Sequence, residues 1–257
     1  MIINKNTKEL SMKKRFFKRF SQVLLILILT FTMGCHLPNN KETAKEFINA
    51  CKANNISEIK LMLAMGVDPD ITDDGLTGLM VAAYNGYIEL TQLLLKKGAN
   101  VNKKYYGTAS AAWRGETALS FAISGYAYYK KHDKQKAKRI EKIALFLVDK
   151  GIDINSQTED GSNYLMHASW AGMESLIKKL IEKGIDVNFT SPDGFTALMT
   201  ASLSGRYNVV KLLLEHGANP NLKVKKGKYK GYTALKLAEK KGYKDIVKLL
   251  KQYGAKE

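Results

Sequence analysis

DGLTGLMVAAYNGYIELTQLLLKKGANVN, residues 74 to 102, carries the plan of the chain. Thr77 stands before an apolar run, Leu79, Ala82 and Ala83, and Gly86 ends that run. A second run follows, Leu90, Leu93 and Leu94, closed by Gly98. Spacings of three and four put each triplet on one face of a helix. A glycine can stop a helix in the left-handed conformation without a Cβ clash. The stretch therefore predicts helix, tight turn, helix and an extended ANVN loop. Two short helices cannot bury both apolar faces alone, so the unit needs neighbours like itself.

The neighbours are present. The glycine closing the first helix and the glycine closing the second recur as Gly86 and Gly98, Gly172 and Gly184, Gly205 and Gly217, Gly242 and Gly254. A further glycine leads each unit at 75, 115, 161, 194 and 231. Two residues after it stand Thr77, Thr117, Asn163, Thr196 and Thr233, each able to cap orphan backbone N–H groups at a helix start. GANVN, GIDIN, GIDVN and GANPN close four units. Self-similarity at this period is the signature of a stacked array.

The pattern resembles the ankyrin repeat. The family motif, roughly G-x-T-P-L-H-x-A-A-x-x-G followed by a Leu-rich helix and G-A-D-V-N, is matched by GLTGLMVAAYNG with GANVN and by GFTALMTASLSG with GANPN. The resemblance implies an all-α repeat fold, an ankyrin solenoid of about six helix-turn-helix units with extended hairpin loops. It covers residues 43–254, with repeats starting near 43, 74, 114, 160, 193 and 230 and a short tail at 255–257. The family proline is replaced by Gly78, Ala118, Tyr164, Ala197 and Ala234, and the family histidine by Met80, Ser120, Met166, Met199 and Lys236. The first repeat has Asn54 for its mid-repeat glycine, and asparagine tolerates the same left-handed backbone. Thr43 with Glu46 three residues on reads as a capping box opening that repeat.

Residues 1–34 stand apart. Lys5, Lys8, Lys13, Lys14, Arg15, Lys18 and Arg19, opposed by Glu9 alone, precede the uncharged run QVLLILILTFTMG. That run is shorter than the roughly 20 residues a spanning helix needs, so a signal peptide is expected. It stops at Gly34-Cys35, which resembles a bacterial lipoprotein signal. Cleavage there would free Cys35 for lipidation, leaving residues 35–42 as lipidated cysteine and polar tether. Thr32, where an aliphatic residue is usual, relaxes the box, and ordinary secretion or an uncleaved anchor stand as alternatives. The expected location is the bacterial cell envelope, membrane-anchored and periplasmic or surface-facing. The formal charge is +17, but the leader holds seven of the basic residues and one acidic residue, leaving 34 basic and 23 acidic, net +11. The remaining cysteine, Cys51, occupies a small-residue core position, so no disulfide is expected.

The third repeat is the irregular one. Its leading loop, KKYYGTASAAWRG, is long, and SGYAYYKKHDKQKAKRIEK intervenes between its helices. Ile140, Ile143, Ala144 and Leu147 keep helical spacing, so its second helix should begin near Lys134. Lys130, Lys131, Lys134, Lys136, Lys138 and Arg139 make this insertion basic, and Lys223, Lys225, Lys226, Lys228 and Lys230 do the same for the last leading loop. Each is either a solvated surface or a patch for anionic lipid or polymer.

No catalytic pattern emerges. His36, His132, His167 and His216 lack metal-ligand spacing, and no CxxC, G-x-S-x-G or GxGxxG occurs. Asp73-Asp74 and Glu159-Asp160 read as turn and capping residues, and His167 as a core histidine. No enzyme, metal or cofactor is expected. The family resemblance implies recognition of a protein partner through hairpin tips and the exposed ends of first helices. Carried onto this chain, those positions are Leu76, Tyr84, Asn85, Glu116, Trp170, Phe195, Leu203, Tyr229, Tyr232, Lys240 and Lys241. Large aromatic side chains dominate interface energetics, and the scaffold itself does not need them there. The expectation is a monomeric, membrane-tethered protein-binding scaffold without nucleic-acid contact. The alternative is an adhesive module gripping anionic lipid or envelope polymer through lysine.

Overall fold

The structure, a computed structural model, describes residues 37–110 and 113–256. The basic leader, the apolar run, Cys35 and His36 lie outside the described residues. Among those described are twelve α-helices in six antiparallel pairs. They are α1 (Lys41–Lys52) and α2 (Ile56–Ala64), α3 (Gly78–Asn85) and α4 (Ile88–Lys96), α5 (Ala118–His132) and α6 (Lys134–Asp149). The chain continues with α7 (Tyr164–Ala171) and α8 (Glu174–Glu182), α9 (Ala197–Leu203) and α10 (Tyr207–Glu215), and α11 (Ala234–Lys241) and α12 (Lys244–Gln252). Each first helix packs on the first helix of the next pair. Of the two apolar triplets read from sequence, Leu79, Ala82, Ala83, Leu90 and Leu94 are each at most 1% exposed, while Leu93 is only partly buried against that core.

The expected turn chemistry sets the helix starts. Thr77, Asn163, Thr196 and Thr233 each accept the backbone N–H three residues on, at Met80, Met166, Met199 and Lys236. Thr117 makes no such bond. Its hydroxyl is instead 2.7 Å from the buried Tyr164 phenol of the next repeat. Gly86, at φ 73°, ends α3 as predicted. The third repeat has Tyr126 in the matching place, and with no left-handed stop the helix runs on to His132.

That substitution explains the insertion. Its residues do not form a loop between helices; they lengthen both helices. Only Asp133 separates them, and its carboxylate accepts from Lys136 N–H at 2.9 Å to start α6. The second helix begins at Lys134, where the sequence placed it.

Two expectations at the N-terminal end change. The first cap is Asn40, whose Oδ1 accepts from Thr43 N–H at 2.9 Å, so Thr43 is a buried residue of the first helical turn. The tether is also docked from Leu37 onward. Leu37 N–H donates to Met65 O, and Asn39 Oδ1 accepts from Asp68 N–H.

The Asn39 contact belongs to a series. In three of the four closing phrases the final asparagine bonds to the glycine and polar residue of the phrase, or equivalent turn, in the next repeat. Asn102 Nδ2 donates to Gly151 O while its Oδ1 accepts from Asp153 N–H. Asn188 does the same to Gly217 and Asn219, and Asn221 to Gly254 and Lys256. Asp70 accepts from Asn100 N–H at the corresponding step. These bonds rivet neighbouring repeats along the loop side.

The hairpin loops are sparse in ladder. Thr72–Asp73 pairs with Leu76–Thr77, and Gln157 bridges Asn163. The other tips are closed by single turns such as Ser191 N–H to Phe195 O and Val224 N–H to Tyr232 O. Cys51 is buried among these elements, its thiol pKa pushed up to about 12 by burial. A Cβ on Gly78 would sit 2.8 Å from its sulfur, which accounts for glycine where the family carries proline.

Candidate partner-binding groove

The positions carried over from the family occupy three environments along the stack. In the second repeat the lengthened α5 leans onto α3. Gly125 permits this: a Cβ there would lie 2.4 Å from Tyr84 O. Tyr84 is consequently half-buried, edge-on to Tyr129 with ring centres 6.1 Å apart. Asn85 is bound on both sides, donating to Val81 O and accepting from Lys136 Nζ. Leu76 stays partly buried beside the hairpin turn.

The fifth and sixth repeats hold a second cluster. Phe195 meets Tyr229 edge-on at 6.1 Å, and Tyr229 meets Tyr232 at 5.8 Å. Lys240 lies over both tyrosines and Lys228 over Tyr229. Leu203 is half-exposed, and Lys241 is exposed. Lys223, Lys225, Lys226, Lys228 and Lys230 are all exposed around buried Val224. The backbone of this loop is anchored by Lys225 N–H on Asp193 O. In the third repeat, Lys131, Lys134, Lys138 and Arg139 are exposed. Lys136 is committed to the Tyr129 face at 3.8 Å, and Lys130 donates to Gly172 O.

Between the two clusters is an open hollow of about 310 Å³. Trp113, Glu116, Ser124, Asp160, Ser162, Met166, His167, Trp170 and Thr200 line it. Each element delivers its residues for a local reason. Trp170 is the last large residue of α7 before Gly172 ends that helix, and its equivalents are Tyr84 and Leu203. Trp113 comes from the long leading loop. That loop is held by Tyr105, which is 2% exposed and exchanges backbone bonds with Gly115 and Glu116. Asp74 accepts from Thr108 and Ala109 N–H further out. Trp113 packs edge-on against Phe121 at 5.3 Å yet remains 42% exposed, and Trp170 is 48% exposed. These are the only two tryptophans in the chain.

The floor of the hollow is ionisable. Glu116, expected at an exposed contact, is only 6% exposed because the fourth repeat closes over it. Burial, then the nearby Asp160 charge, raises its pKa to about 7 against a hydrogen bond from Ser120. Burial works against the Asp160 charge too, but bonds from the Thr158 hydroxyl and Ser162 N–H hold its pKa below the ordinary value. His167 Nδ1 lies 3.9 Å from Glu116 Oε1. Burial keeps His167 below its usual pKa, so this proximity is not a standing ion pair. At the edge, Arg114 pairs with Glu159 at 2.9 Å. Among the described residues no group of His, Cys, Asp and Glu could hold a metal ion, and no helix is long and apolar enough to cross a membrane.

Trp170 and Glu116, singled out in the sequence, line the hollow together with Trp113, Asp160 and His167, which the sequence does not place in one site. Trp113 lies outside the repeat register, and in sequence the other two read as a turn residue and a core histidine. The cluster of Tyr105, Tyr106 and Trp113 inside one overlong loop was the available signal.

Comparison with known proteins agrees with this architecture. The model described as "Ankyrin repeats (3 copies)" matches residues 26–105, 47–132, 134–224 and 165–257. The chain belongs to the ankyrin-repeat family, whose members are protein–protein interaction modules. An ankyrin repeat domain from Acinetobacter baumannii AYE superposes with a TM-score of 0.63 at 30% identity, over 82% of this chain and 98% of that one. EF0377, an ankyrin repeat protein, gives 0.65 at 26% identity with the same coverage. The Caenorhabditis elegans "Ankyrin repeat and KH domain-containing protein mask-1" is 29% identical over 143 residues, 56% of this chain. The chain spans about 5% of the length of that relative.

Proposed function

We propose that this protein is a non-catalytic scaffold of the bacterial cell envelope. It is tethered to a membrane through lipid on Cys35 and captures a protein partner on the concave side of its third to fifth repeats. The observation that carries the binding assignment is the pair of half-exposed tryptophans, Trp113 and Trp170, on one hollow. Desolvated indoles at the centre of a contact supply much of its energy, and a folded monomer gains little by exposing two of them together. The tether assignment rests on the basic leader, the short apolar run and Gly34-Cys35. Because Leu37 is already docked on the first repeat, an acylated Cys35 would hold that repeat close to the bilayer.

Two experiments test this. Photo-crosslinking in intact envelopes should capture a discrete partner with the native chain and lose it with Trp170→Ala; retention of the same partner would remove the groove assignment. Metabolic labelling with an alkyne fatty acid should mark the native chain and not Cys35→Ser. An unlabelled native chain ends the lipoprotein assignment. The exposed lysines of residues 223–230 favour one second reading, adhesion to anionic lipid or polymer. That contact would weaken steeply between low and physiological salt, whereas the tryptophan contact would not.

A further inference from the structure

Resting on that assignment of the hollow, we propose that its occupant is a positively charged side chain, a guanidinium or ammonium group carried by the partner polypeptide. It would lie against the Trp113 and Trp170 indoles with the Asp160 and Glu116 carboxylates beneath it.

The argument begins with charge. The chain carries 41 lysines and arginines against 24 acidic residues. Yet the lining of this hollow contains two carboxylates and no lysine or arginine. The site therefore has the sign opposite to the molecule around it. Its walls suit the same ligand, because an indole face is the strongest side-chain partner for a cation. The protein uses several of its other aromatic faces in this way internally. Lys136 covers Tyr129, Lys130 covers Tyr126, and Lys240 covers Tyr229 and Tyr232. Among the described residues, no lysine or arginine is placed over either tryptophan. Arg206 approaches Trp170 only at its backbone oxygen, donating from Nε at 2.9 Å. The two tryptophan faces thus lack the cation that Tyr126, Tyr129, Tyr229 and Tyr232 have.

The floor adds a second match. Asp160 is held in its charged form by Thr158 and Ser162. Glu116 is penalised for its charge by burial and then by the neighbouring Asp160 carboxylate. His167 is the other titratable group in the hollow, and Arg114 is occupied by Glu159 at the edge. A docked cation would favour the Glu116 carboxylate and expel its proton, so binding should strengthen as pH rises past neutrality.

Both tryptophans line the hollow, so intrinsic fluorescence of the full chain, in non-ionic detergent, reports the site directly. Acetylated, amidated hexa-arginine and hexa-lysine should give a saturable change in emission. Hexa-glutamate, which the exposed lysines attract, should leave the emission unchanged. Asp160→Asn and Glu116→Gln should each weaken the basic peptides at least tenfold, with circular dichroism confirming an intact fold. Lys225→Ala should not. The native chain should bind more tightly at pH 8 than at pH 6, and Glu116→Gln should flatten that dependence. Equal affinity in the native chain and Asp160→Asn overturns the proposal. If basic peptides fail while Trp170→Ala still abolishes partner crosslinking, the cationic occupant is wrong and the groove stands. If crosslinking survives Trp170→Ala, the groove assignment falls first.

Discussion

Glu116→Gln should stabilise this protein, and only above acid pH. In the folded chain the Glu116 pKa rises from its ordinary 4.5 to about 7, chiefly through burial. Between those values the native state holds a proton that the unfolded chain has released. Stability therefore falls as pH rises through the window, and the full loss is present above the folded pKa. The displacement corresponds to about 3 kcal/mol at pH 8. Glutamine fills nearly the same volume and can still bond to Ser120, but never ionises. The variant should match the native chain near pH 4.5 and exceed it by up to about 3 kcal/mol at pH 8. For an array of this size that is roughly 6–12 °C in Tm. Urea unfolding of both chains across pH 4.5 to 8 measures it, and the difference between them cancels groups that titrate alike in both. Part of that displacement is repulsion from Asp160, which the variant removes together with the desolvation cost. A difference that does not change with pH, or a less stable variant at pH 8, would refute the account of a buried carboxylate without a cation.

Three further changes probe the scaffold. Gly78→Ala places a methyl 2.8 Å from Cys51 Sγ and 3.2 Å from Phe47, so it should destabilise by about 1–3 kcal/mol despite alanine's better helix propensity. Adding Cys51→Ala should restore part of that loss, and a purely additive double mutant in thermal unfolding would deny the contact. Asn188→Ala removes the bonds to Gly217 and Asn219 and should cost about 1 kcal/mol at this exposed site. Hydrogen exchange should then rise selectively in the fifth and sixth repeats. Thr117→Val deletes the hydroxyl facing Tyr164 and should cost about 1 kcal/mol through the third–fourth repeat junction. It leaves the start of α5 intact, because no side-chain cap is lost there.

The repeat register was legible because a few positions admit little choice. Gly86 and Gly172 sit at φ 73° and 76°, a backbone in which a side chain is strained, so their recurrence in sequence tracked helix ends. The apolar triplets followed from helical spacing for the same reason. The hollow was not legible, because its parts come from different registers. Trp170 is a repeat position, Trp113 belongs to an inserted loop, and Asp160 stands on a turn whose sequence reads as a turn. Burial of Glu116 depends on how the fourth repeat closes over the third, which no local pattern encodes. Tyr84 failed as an open contact for a related reason: what covers it is the helix that Tyr126 allowed to continue.

The insertion therefore has two linked consequences. Lengthening α5 carries Tyr129 onto Tyr84, and starting α6 at Lys134 carries Lys136 onto Asn85, so both positions of the second repeat are covered. Lengthening the preceding loop brings Trp113 to the hollow that Trp170 also lines, between the third and fourth repeats. On the proposed assignment, both changes place the recognition surface away from the N-terminal end, the end at which a lipid on Cys35 would bring the bilayer. A partner held at the hollow would be spaced from that bilayer by the first two repeats. Restoring a glycine at Tyr126 and deleting the extra helical turns should uncover Tyr84. It should leave the Trp113–Trp170 hollow in place, since the loop that supplies Trp113 is anchored separately through Tyr105 and Asp74.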